Sequence, residues 1–274
     1  MIKKTVLVFL CLSLILSIPG CKKKLPTTPD IPAIILQSIA VISSSDLLYI
    51  GISETFTATA TMSDGSTKAV VGGAWSGDNP SVATVGASTG KVTIIGSGMV
   101  NIFVNYEGKQ GSKAIRGLPN YQGTWSGSYV IISCSATGDL ELSGFCDIFA
   151  VGTVFPLGLV LTQDQDRVTG RFYLGDLSAD TTGPVATNGQ LPLTGLVPGD
   201  PFTIDVLLAL QSTTPDQITG TLDMLWLATG FSGSALLSCN IFDLNRTSSM
   251  TMAPIPPRKP TPTLQDIFRA LLRR

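Results

Sequence analysis

The chain has 274 residues and no histidine. That absence removes Ser-His-Asp and Cys-His triads together with His-ligated zinc and non-haem iron sites, each of which needs an imidazole as base or ligand. Proton transfer is left to carboxylates, Lys, Tyr or Cys. Charge is scarce as well: Asp, Glu, Lys and Arg make up 14% of residues, and the formal net charge is −1. Between Leu36 and Met250 acids outnumber bases, so the body lacks the basic stripe that nucleic-acid binding requires. Amphipathic helical periodicity is missing until the C-terminal end, while 28 glycines and 17 prolines favour turns and short strands. These features predict an all-β body, no enzyme activity, no cofactor and no metal site.

Long apolar runs are limited to one. Lys3 and Lys4 precede an apolar stretch from Val6 to Ile18, the length of a secretory h-region and too short for a membrane span. Residues 1–20 therefore read as a signal peptide. The order Ile18-Pro19-Gly20-Cys21 resembles the bacterial lipobox. That resemblance implies a lipidated Cys21 and a chain held in the cell envelope, on the outer membrane or a periplasm-facing membrane. Several acyl chains, each buried CH₂ contributing about 0.8 kcal/mol, would make such an anchor effectively permanent. Lys22, Lys23 and Lys24 follow, placed either to meet anionic headgroups or to solvate a tether. Residues 21–35 are proline-rich and suit a semi-extended spacer.

Residues 36–117 read as a first folded unit of alternating segments such as Glu54 to Thr61, which put one strand face in a core and the other in water. The run Ala74-Trp75-Ser76, then Ser81-Val82-Ala83-Thr84-Val85, Gly90-Lys91-Val92 and Gly98-Met99-Val100-Asn101-Ile102 resembles the bacterial Ig-like group 2 family over residues 36–116. The resemblance implies an Ig-like β-sandwich, in a family whose members are spacers or adhesive modules of exported proteins. Trp75 would fill its core, Gly90 would take a positive-φ turn, and Val82, Val85, Val92, Ile94, Val100 and Ile102 would face inward.

After Gly117-Leu118-Pro119-Asn120-Tyr121, a break in the pattern, residues 118–250 carry short apolar runs between turn signals. Two hairpins share one frame, Asp166-Arg167-Val168-Thr169-Gly170-Arg171-Phe172 and Asp216-Gln217-Ile218-Thr219-Gly220-Thr221-Leu222. About eight antiparallel strands joined by such hairpins predict a barrel that closes its own edges. The opening Gly123-Thr124-Trp125-Ser126-Gly127-Ser128-Tyr129 and the Val168-Thr169-Gly170-Arg171-Phe172 hairpin resemble lipocalin-type or avidin-type barrels. Trp125, Tyr173 and Trp226 are candidates to line a ligand cavity in the barrel mouth, with plain filling of the core as the competing reading. Residues 251–262 are a proline-rich linker. Residues 263–274 read as a short helix with Thr263 as N-cap and an apolar stripe of Leu264, Ile267, Phe268 and Leu271. A helix this short is marginal in water. It either frays or packs on its own chain, or it lies on a partner or membrane.

Three motif-like strings carry no chemistry. Ser88-Thr89-Gly90-Lys91 matches a serine acyltransferase pattern but lies in a hairpin with no helix to hold its geometry. The overlapping Gly86 to Lys91 is too short for a phosphate-binding loop and continues with Val92. Asp164-Gln165-Asp166 lacks further ligands at calcium-loop spacing and reads as a solvated hairpin tip. Of Cys134, Cys146 and Cys239, a bridge between Cys134 and Cys146 is favoured, with Cys239 to Cys134 as the alternative.

Taken together, these features describe a non-enzymatic envelope lipoprotein for surface binding or adhesion. The partners would be a membrane and a surface protein or glycan. The alternative is a binding protein for a small apolar or glycan ligand that uses the barrel. Replacing Cys21 by Ser is expected to release the chain from membranes, as read by fractionation; a variant that stays with the membrane would refute the lipid anchor.

Overall fold

The structure, a computed structural model, describes residues 33–199, 202–228 and 232–248. The signal segment 1–20, Cys21 with its tether to residue 32, the linker 251–262 and the helical segment 263–274 lie outside the described residues. The described residues from Leu36 onward pack as one unit around two separate apolar cores.

The first core is built by ten strands: β1 (Leu36–Ile42), β2 (Leu47–Tyr49), β3 (Ser53–Thr55), β4 (Thr57–Met62), β5 (Thr67–Ala69), β6 (Ala74–Gly77), β7 (Ala83–Val85), β8 (Lys91–Ile94), β9 (Gly98–Tyr106) and β10 (Lys109–Leu118). Where a two-sheet sandwich is expected, the strands form three hydrogen-bonded sheets, β1-β4-β5, β2-β10-β9-β6 and β3-β8-β7. Val82, Val92, Ile94, Val100 and Ile102 are all at most 2% exposed, and Val85 is half-buried. Gly90 has φ +67°, and a Cβ there would stand 2.8 Å from the Phe56 carbonyl and 2.9 Å from the Trp75 ring. The turn therefore needs glycine twice, for its backbone angle and for the room it leaves the tryptophan.

The second core lies inside a closed barrel. Its strands are β11 (Gly123–Ala136), β12 (Val154–Asp164), β13 (Arg167–Leu174), β14 (Leu177–Pro184), β15 (Gln190–Val197), β16 (Phe202–Thr214), β17 (Gln217–Ala228) and β18 (Ser234–Thr247). Each pairs antiparallel with the next, and β18 returns to β11. Alternation assigns the faces: Phe202, Ile204, Val206, Leu208 and Leu210 of β16 are buried inward, while Asp205, Leu207 and Ala209 face out. The repeated hairpin frame now has a physical reason. Gly170 and Gly220 occupy inward positions where a Cβ would collide with the Val160 and Ala209 carbonyls of the preceding strand. Only a glycine lets the two strands approach so closely.

One seam of the barrel is thin. β14 and β15 pair at a single position, Thr182 with Thr194. Pro192 in β15 has no N–H to give a ladder, and the Thr181 hydroxyl donates instead to the Thr194 carbonyl at 2.8 Å.

Both ends are closed. At the end where the chain enters, β10 runs through Leu118, and Leu118 and Tyr121 are fully buried in the barrel core. The break at residues 117–121 is thus a packed joint. The Tyr121 hydroxyl donates to the Gly189 carbonyl at 2.7 Å and accepts from the Ser212 N–H at 3.0 Å, and burial pushes its pKa up to about 12. The Gln163 side chain accepts from the Tyr121 N–H at 2.6 Å and donates to the Pro119 carbonyl at 3.2 Å. Arg246 lies 4.2 Å over the Trp125 ring and donates to the carbonyls of Asn120, Gln122 and Pro215. The Asp164-Gln165-Asp166 tip is a docking point: Arg116 of the first core pairs with Asp166 at 2.9 Å and donates to the Val185 carbonyl at 2.7 Å.

At the opposite end, two helical turns between β11 and β12, α1 (Asp139–Leu142) and α2 (Phe145–Ile148), form a plug. Phe145 and Phe149 meet the Trp226 ring at 5.4 and 5.5 Å. The Asp139 carboxylate accepts from the backbone N–H and hydroxyl of Ser232. A disulfide between Cys134 and Cys146 fastens α2 to β11. Cys239 is free and buried, which discards it as a partner for Cys134.

Two variants probe this architecture. Gly220→Ala is expected to lower stability by about 1–3 kcal/mol through overpacking, seen as a lower urea midpoint. Cys134→Ser opens a loop of sequence separation 12 and is expected to lose about 3 kcal/mol. An unchanged midpoint in the second case would mean that packing alone holds the plug.

Candidate functional site

The aromatic residues expected at a cavity mouth do not form one. Trp125 and Trp226 are 0% and 1% exposed and lie at opposite ends of the lumen, the first beneath Arg246 and the second beneath the phenylalanine plug. Tyr173 lies between inward Phe172 and Leu174, so it faces out, opposite the outward Gly158 of β12. Strand alternation forbids Phe172 and Tyr173 from sharing the lumen. The competing reading, core filling, describes Trp125 and Trp226.

The lumen itself is filled. Among the described residues, Leu159, Val168, Phe172, Leu193, Leu208 and Leu222 are all 0% exposed, so these side chains border no void wide enough for a water molecule. Burial holds Tyr129 far above its ordinary range and pushes the Cys239 thiol up to about 12. Neither is a nucleophile or a base near neutral pH. Among the described residues, no group of three acidic or cysteine side chains is placed to hold a metal ion.

The binding features lie outside the lumen. In β13 and β14 the outward positions are mostly polar, whereas in β15 to β18 several are leucine. Leu196 pairs with Asp205, Asp205 with Leu225, and Leu225 with Leu236, making one row across four strands. In the adjacent row Thr194, Leu207 and Asp223 stand side by side. Leu196 is 52% exposed, and Leu207 and Leu236 are each 43% exposed. The leucines flank a shallow, open groove of about 590 Å³ on the outer barrel wall. Its lining is apolar except for Thr194 and the two carboxylates, and it contains no Lys or Arg. A surface of this kind accepts an apolar body and favours a positive charge beside it.

A second cavity of about 470 Å³ lies where the first core meets the base of the barrel, lined by Ile50, Ile95, Ser97, Ser212, Asp216 and Arg246 among others. Arg246 would be its natural anchor for an anion. However, its guanidinium already donates to three backbone carbonyls and pairs with Asp216 at 3.2 Å. The groove on β15 to β18 is therefore the stronger site.

Sequence reading missed this groove, although a signal was present. Val206-Leu207-Leu208, Met224-Leu225-Trp226-Leu227 and Ala235-Leu236-Leu237 break the alternation of a half-buried strand. Consecutive apolar residues on a strand place apolar side chains on both faces.

No protein-family model matches the chain, and no curated protein matches it. Among solved structures it is similar to a fatty acid transporter, REP1-NXSQ, at 12% identity and a TM-score of 0.18, over 45% of this chain and 97% of that one. It is also similar to a protein of unknown function of the DUF3598 family from Nostoc punctiforme, at 11% identity and a TM-score of 0.24, over 76% of this chain and 95% of that one. At these scores neither likeness assigns a function.

Proposed function

We propose that the chain is a non-enzymatic, lipid-anchored binding protein of the bacterial cell envelope. Cys21 would carry the anchor, residues 36–117 would act as an Ig-like spacer, and the outer wall of the barrel would bind a small amphipathic ligand. The observation that supports this reading is the groove on β15 to β18, with leucines around Asp205 and Asp223 and no cation of its own. Its volume lies within the roughly 300–1,000 Å³ of small-molecule sites. The filled lumen weighs against a ligand carried inside the barrel, and no surface feature of its own supports adhesion.

The carboxylates set the chemistry of the ligand. A chain that ends in an ammonium group gains attraction from Asp205 and Asp223, whereas one that ends in a carboxylate meets repulsion. Both side chains are partly solvated, so the charge contributes about 1 kcal/mol or less, and burial of the apolar chain supplies most of the affinity.

Isothermal titration of the full chain with dodecylammonium and with dodecanoate, each below its micellar concentration, tests the reading. Dodecylammonium is expected to bind at one site and dodecanoate more weakly. Leu236→Ser is expected to weaken dodecylammonium by at most about 10-fold through lost apolar burial, and Asp205→Asn by at most about 3- to 5-fold. Equal affinity for the two amphiphiles, or indifference to both substitutions, would overturn it.

A further inference from the structure

The groove asks for an apolar body with positive charge, and the chain carries such a segment itself. We infer that residues 263–274 lie in the groove formed by Leu196, Leu207, Leu225 and Leu236 and compete there with an external ligand. The inference rests on the ligand-binding reading above and adds its regulation.

Three observations support this occupant. The first is chemistry. Leu264, Ile267, Phe268 and Leu271 recur at helical spacing, and Arg269, Arg273 and Arg274 against the single Asp266 leave the segment cationic. The groove offers leucines, Asp205 and Asp223, and no basic side chain, so apolar surface and charge are complementary. The second is need. Twelve residues are too few for a stable isolated helix in water, and an apolar stripe of this kind gains its order by lying on a surface.

The third is reach. β18 ends at Thr247, at the end of the barrel where the chain enters, and Leu236 lies on the same strand, eleven residues earlier. At about 3.3 Å per residue that separation is about 36 Å. Residues 249–262 include five prolines, and fourteen residues at about 3.1 Å each span about 43 Å. The linker is thus long enough to return along β18 and bring Thr263 to the groove.

A tethered occupant need not bind tightly to matter. A linker of this length gives an effective concentration on the order of 1 mM, so a segment whose intrinsic dissociation constant is about 0.1 mM would occupy the groove about 10 to 1. An external ligand would then bind about 10-fold more weakly than to an open groove.

Two measurements on the full chain decide the matter. In the first, photoreactive benzoylphenylalanine replaces Phe268, and the cross-linked peptides are mapped by mass spectrometry. Attachment within the same chain to the outward residues of β15 to β18 is expected. Attachment to a second copy, to lipid, or to another face of the same chain would overturn the inference. In the second, dodecylammonium is titrated against the double variant Ile267→Ser and Phe268→Ser. The variant is expected to bind about 10-fold more tightly than the parent, and Leu236→Ser added to it should cancel the gain. If the tail variant binds no more tightly while Leu236→Ser still weakens the parent, the self-occupancy fails and the ligand-binding reading stands. If Leu236→Ser changes nothing in either background while the cross-links fall in the groove, the reverse holds.

Discussion

The ladder between β11 and β18 carries the rest of the barrel. These are its longest strands, fourteen residues each, and their pairing turns a meander into a closed surface. An open sheet of eight strands would present two rows of unpaired N–H and C=O groups, and any apolar outer face beside them would invite edge-to-edge association. Closure removes those edges. It also confines the large apolar surface of the inward residues to one lumen, where each fully buried leucine or phenylalanine contributes about 1.5–3 kcal/mol. Once the wall is closed and the inside is packed, leucines can remain on the outside without threatening the fold.

Much of the architecture was legible because strand physics is local. The alternating runs, the glycine-centred turns and the two echoing hairpins state the all-β class and the meander, and the same frame contains Gly170 and Gly220, the glycines that let neighbouring strands touch. The Cys134 and Cys146 pairing was the favoured one of two that the sequence left open. Alternation also held the answer for Tyr173: it has opposite parity to Val168 and Phe172, so it cannot share their face.

Other features depended on long-range packing. Sequence periodicity assigns a face but does not say how fully a lumen is filled, so cavity lining and core filling both stood as readings of Trp125 and Trp226 until the packing around them was seen. The plug lies in the connection between β11 and β12, where Phe145 and Phe149 stand at helical spacing. At the other end, Arg246 has no neighbour in sequence that points to Trp125; only closure of β18 on β11 brings them together. The packed joint at Leu118 and Tyr121 likewise depends on hydrogen bonds that Tyr121 donates to Gln163 and Gly189, residues far along the chain.

The placement of the disulfide also bears on how the chain reaches its fold. Among Cys134, Cys146 and Cys239, the native pair closes by far the shortest loop, and the difference in closure entropy favours it over Cys134 with Cys239 by about 2 kcal/mol. Short loops also meet soonest, on the order of 10–100 ns. The pair that chain entropy favours is thus also the pair the folded barrel holds, while the barrel wall buries Cys239 away from both partners.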